Sequence, residues 1–136
     1  MSANPELGVC YYPEHWPEEL WVSDAQNMIK NGIKWVRIAE FAWSRIEPDP
    51  GIFDWNWLDK IVDILGNSGL KIVMCTPTAT PPKWLVDQMP DMVALDKNGQ
   101  ARKFGSRRHY SFSHQGYQKA VSYTHLRAHE TRGNLV

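Results

Sequence analysis

At 136 residues, 43% apolar and 22% charged, the chain has the size and composition of one globular domain with a sizeable core. Fifteen basic residues balance fifteen acidic ones, so no basic field is present to attract nucleic acid or an anionic membrane surface, and neither is expected as a partner. Met1 to Glu6 show no basic and apolar leader, and no apolar run nears the roughly 18 residues of a membrane span, so a cytoplasmic location is the expectation.

Leu7 to Tyr12 is a short apolar run closed by Pro13 and reads as a strand. Pro17 then opens a helix with Leu20, Trp21, Ala25, Met28 and Ile29 on one face, ended by Gly32. Ile33 to Ala39 is the second strand. After the connection Glu47-Pro48-Asp49-Pro50-Gly51, Asp54 is a plausible N-cap for a helix carrying Leu58, Ile61, Val62 and Leu65. Gly69 ends that helix, and Leu70 to Cys75 is a third strand, nearly continuous in apolar residues as one covered on both faces should be.

Pro82 starts a short helix through Trp84, Leu85 and Val86. Asn98-Gly99 between Met92 to Leu95 and Ala101 to Phe104 predicts a β-hairpin. Ser113 is placed to cap a further helix near His114, whose apolar period fades after Tyr117 and Ala120. Cys10 and Cys75 both fall in strand runs, which predicts buried, unpaired thiols. No CxxC or zinc-type spacing is present, so neither a metal nor another cofactor is expected.

Strands alternating with helices predict an α/β fold on a parallel sheet, either open and doubly wound or closed into a barrel. An open nucleotide-binding sheet needs a glycine-rich turn after its first strand, and here that turn is Tyr11-Tyr12-Pro13-Glu14-His15-Trp16. The barrel is therefore preferred. Three of its units leave two open strand edges and one uncovered sheet face, a state natural proteins avoid.

In such barrels the site is built from loops at the carboxyl ends of the strands. Those loops here carry Tyr12 to Trp16, Glu40 to Trp43 and Thr76 to Trp84, a mixture of rings, hydroxyls and carboxylates. The combination suits a sugar, whose CH faces stack on rings and whose hydroxyls need fixed donors and acceptors. It also gives a use to a high aromatic content of 12% with seven Trp.

The strings Gly8 to Trp16, Arg37 to Trp43, Thr76 to Leu85 and Arg107-Arg108-His109-Tyr110 resemble glycoside hydrolase family 42, the β-galactosidases, over roughly residues 7 to 120. The resemblance implies a TIM (β/α)8 barrel of which only the first three βα units are present. It implies retaining hydrolysis of terminal β-D-galactosyl residues, with β-galactosides as small-molecule substrates and a parent enzyme that is often a homotrimer. Retention uses two glutamates about 5 Å apart. In the family the acid/base follows an Asn at the end of strand four and the nucleophile ends strand seven. Both lie past this chain, which is then expected to be inactive alone and to contribute no catalytic residue.

What the resemblance does place here is a galactose-binding arginine at Arg107 and a second sugar-site position at Glu40. Each has a plainer reading, a surface ion pair for Arg107 or Arg108 and a buried ion pair for Glu40. Glu14 and His15 read as support for the barrel rim, and Trp43 and Trp84 read more readily as core than as sugar platform, while His109 and His114 stay open. Family members with a zinc cluster carry Cys directly after His-Tyr, and this chain has Ser111, which argues against that metal.

From Val121 to Val136 the apolar positions thin out and the family pattern stops. The string resembles a translated sequencing adapter. The expected organisation is therefore barrel over 1–120 and a foreign tail over 121–136. His125 and His129 stand at i, i+4 without a third ligand, so no metal is assigned to them. Two other readings of the whole are a carbohydrate-binding module and a fragment of another barrel glycosidase.

Overall fold

The computed structural model describes residues 4–130, with side chains through 124. Its centre is a three-stranded parallel sheet in the order β1 (Leu7–Cys10), β2 (Ile33–Ile38), β3 (Lys71–Met74). Helix α1 (Trp21–Lys30) connects the first pair of strands. A single turn α2 (Trp43–Ile46) and the longer α3 (Asn56–Asn67) connect the second. Then come α4 (Lys83–Gln88) and α5 (Gln115–Glu130).

Alternation along β2 sorts the two faces. Val36 and Ile38 are buried against Trp21 and Ala25 of α1 and Leu58, Ile61 and Leu65 of α3. Trp35 and Arg37 point the other way, and register places them in two rows, Gly8–Trp35–Lys71 and Cys10–Arg37–Val73. Gly8 suits this packing, because a Cβ there would crowd the Trp35 Cβ at 3.0 Å. At the amino end of this face Glu6 accepts hydrogen bonds from the Trp35 indole at 2.6 Å and from Lys71 at 2.9 Å. Both bonds hold the Glu6 carboxyl below its usual range.

Several expectations need correction. The two cysteines are unpaired, but Cys10 is exposed and Cys75 only half-buried, because both lie toward the face that no helix among the described residues covers. β1 stops at Cys10, with one further ladder bond from the Tyr11 N–H to the Arg37 carbonyl. The N-cap of α3 is Trp55 rather than Asp54, which stands one residue before it and accepts from the Asn56 N–H at 3.1 Å. The hairpin reduces to one bridge between Leu95 and Ala101, since the Asp96 carboxylate takes the N–H groups of Asn98 and Gln100 and tightens the turn.

The start of α5 is capped by His114, whose Nδ1 accepts from the Tyr117 N–H at 3.1 Å. Ser113, the expected cap, instead pairs its hydroxyl with Ser111 at 3.1 Å. The apolar stripe of α5 is weak, as its fading period predicted, yet the helix itself does not stop at Ala120. It continues to Glu130, with Thr124 buried. His125 and His129 lie outside the described side chains.

A second cluster packs Trp43, Leu85, Met92, Tyr110 and Tyr117 together, joining the loops after β2 and β3 to α5. Glu47 stands at its margin, 3% exposed. Its carboxylate accepts from the Trp43 indole, the Gly51 N–H and the Thr124 hydroxyl, each at 2.9 Å. Its carbonyl accepts from the Trp84 indole at 2.9 Å. Trp43 and Trp84 thereby serve the framework, as the sequence favoured.

Candidate functional site

The carboxyl ends of the strands bring Tyr12, Glu40, Phe41 and Arg107 together. Glu40 gets there through a backbone device. By strand parity it would follow Ile38 into the covered face, but Ala39 adopts φ 74°, a left-handed conformation that costs an L residue roughly 1–2 kcal/mol. The turn it makes reverses the parity. Glu40 lands on the face of Arg37, and their charged groups meet at 2.6 Å.

The second Glu40 oxygen accepts from the Tyr12 hydroxyl at 2.9 Å. This hydrogen bond to a carboxylate pushes the Tyr12 phenol above its usual value, and the Glu40 charge does the same to the Arg37 guanidinium. Glu40 is thus held from two sides, its side chain 13% exposed. The expected structural ion pair is present, with Arg37, and coexists with a position on the rim.

Arg107 is exposed, and its guanidinium lies over the Phe41 ring, 5.8 Å from the centroid. The Phe41 ring in turn packs on Tyr12 at 5.4 Å. The loop after β3 reaches the same place, where the Thr80 hydroxyl donates to the Phe41 carbonyl at 3.2 Å. Two cations, one carboxylate, a phenol and an apolar ring therefore share one rim. Such a set can grip vicinal hydroxyls with charge-assisted hydrogen bonds while a ring packs on a CH face.

His15 is exposed and its ring lies 5.8 Å from that of Tyr12. Glu14 is different. Both of its carboxylate oxygens are buried without a hydrogen-bonding partner. Burial pushes this carboxyl up, helped by the charge of Glu40 and opposed by the charges of His15 and Arg45. The folded chain then binds this proton more tightly than the unfolded chain does. Its contribution to stability is present at low pH and lost as pH rises through the raised value. Glu14→Gln should accordingly raise the melting temperature near neutral pH and change it little at about pH 4. Equal shifts at both pH values would refute this assignment.

His109 is buried, with Nδ1 2.9 Å from the Ser106 carbonyl, and His114 stands 3.1 Å from Asp91. Among the described residues no group of three or more His, Cys, Asp or Glu could hold a metal ion. Sequence reasoning put Tyr12 and Phe41 in the rim loops and singled out Glu40 and Arg107, but gave no role to Arg37. The aromatic loops were the available signal.

A family model described as beta-galactosidase, glycoside hydrolase 42, matches residues 10–131. The beta-galactosidase of Thermus thermophilus is 55% identical over 113 residues, covering 83% of this chain and 18% of that protein. Bga of Halorubrum lacusprofundi is 50% identical over 116 residues, 85% of this chain and 17% of that protein. The crystal structure of the beta-galactosidase from the psychrophilic Marinomonas ef1 superposes with TM-score 0.90 at 53% identity, over 96% of this chain and 20% of that one. The chain thus spans about a fifth of the length of the relatives it matches.

Proposed function

The chain belongs to the beta-galactosidase family of glycoside hydrolases, and from that premise we propose that it forms the first three units of a (β/α)8 barrel whose parent cleaves terminal β-D-galactosyl residues with retention. Glu40 and Arg107 are its sugar-binding residues, and the catalytic glutamates belong to strands outside it. One observation carries this reading: Glu40, Tyr12, Phe41 and Arg107 meet at the carboxyl rim of the parallel sheet, where barrels of this kind bind substrate. A parallel sheet with helical connections disfavours the alternative of a carbohydrate-binding module, which would be an antiparallel sandwich.

The domain reading assigns residues 1–120 to the barrel. The composition of 121–136 supports a foreign tail, whereas the continuation of α5 through Thr124 and the family match to 131 weigh on the other side.

The test completes the ring. This chain is substituted for the 113 matched residues of the Thermus thermophilus enzyme. The graft should hydrolyse a chromogenic β-galactoside, and the 136-residue chain alone should not. In the graft, Arg107→Ala should raise KM roughly tenfold, the loss of a charge-assisted hydrogen bond to the sugar, with a smaller change in kcat. Turnover by the chain alone, or an unchanged KM in the Arg107→Ala graft, would overturn the assignment.

A further inference from the structure

We infer that Phe41 is the positioning residue for Arg107, holding its guanidinium over the substrate rim by a cation–π contact, and that the column Tyr12–Phe41–Arg107 couples the two sugar-binding side chains. The inference rests on the proposed role of Arg107.

Arg107 is an exposed side chain in the loop that follows β3 and α4, and an exposed arginine left to itself samples many rotamers. Its guanidinium lies over the Phe41 ring, 5.8 Å from the centroid. That lies within the range over which a ring quadrupole attracts a guanidinium. The ring is itself fixed from two directions. Tyr12 packs on it at 5.4 Å, and its backbone is tied by the Thr80 hydroxyl at 3.2 Å. Tyr12 closes the unit by donating to Glu40 at 2.9 Å. A rigid ring thus orders a flexible cation, so part of the entropy of gripping the sugar is lost before the sugar arrives.

A cation–π role makes demands that simple packing does not. Leucine at position 41 keeps an apolar side chain but has no quadrupole, whereas tyrosine keeps the ring. In the graft, Phe41→Leu should raise KM about fivefold and leave kcat nearly unchanged, while Phe41→Tyr should stay within about twofold of the unmodified graft. In the Arg107→Ala background, Phe41→Leu should add nothing, because a residue that acts through Arg107 is silent without it. Phe41→Met provides a second ringless variant should the leucine form fail to fold.

The inference is overturned if Phe41→Leu costs as much without Arg107 as with it, or if both ringless variants bind like the unmodified graft. Should Arg107→Ala raise KM while the ringless variants stay silent, only the role of Phe41 falls. Should Arg107→Ala itself be silent, the sugar-binding reading falls with it.

Discussion

Glu40→Ala should lower kcat/KM of the grafted enzyme by roughly 30- to 150-fold, the worth of a charge-assisted hydrogen bond that a sugar hydroxyl would otherwise make. The carboxylate is preorganised by Arg37 at 2.6 Å and Tyr12 at 2.9 Å, so its acceptor lone pairs point in fixed directions before substrate binds. Glu40→Gln should fall between, since an amide keeps one acceptor oxygen while the ion pair with Arg37 is lost. A second readout belongs to the residue that stays behind. The Tyr12 phenol is pushed up first by its hydrogen bond to Glu40, so Glu40→Ala should move its titration back toward the ordinary tyrosine value. Ultraviolet difference titration against a Tyr12→Phe control measures this. An unmoved phenol together with undiminished kcat/KM would remove Glu40 from the site.

Glu47→Ala should be strongly destabilising, by about 3–5 kcal/mol in urea unfolding. Three donors lose their acceptor at once: the Trp43 indole, the Gly51 N–H and the Thr124 hydroxyl. Each desolvated, unpaired donor costs about 1–3 kcal/mol, and the missing side chain leaves a void beside Trp43. Glu47→Gln should lose roughly half as much, because one carboxyl-like oxygen still accepts. A cost below about 1 kcal/mol for the alanine form would show that the buried carboxylate is dispensable.

The repeating part of the fold was legible because periodicity reports burial. Trp21 and Ala25 in α1, and Leu58, Ile61 and Leu65 in α3, face the sheet as their spacing required. Glu40 and Arg107 were legible only through resemblance, as no pattern in composition distinguishes them from other surface charges. What stayed hidden depends on contacts between distant segments. The acceptor role of Glu47 joins residues 43, 51 and 124, and only the i, i+4 spacing to Trp43 hints at it. The left-handed Ala39 was equally hidden, since alanine carries no turn signal. The exposed Cys10 shows the same limit in reverse, for an apolar strand run announces two covered faces and this structure covers one.

The open side of the sheet carries its own gatekeepers. Trp35 is the large apolar side chain that another molecule would seize there, yet its indole is already committed to Glu6 and its ring lies 4.8 Å from the Lys71 ammonium. Lys71 also opens β3, one of the two edge strands, which is only four residues long. Lys71 and Glu6 place a charged pair beside Trp35 on this face, which keeps an otherwise apolar patch polar. In the proposed closed barrel the same face turns inward and β3 takes a fourth strand, so the Glu6–Lys71 pair would line the amino end of the barrel interior.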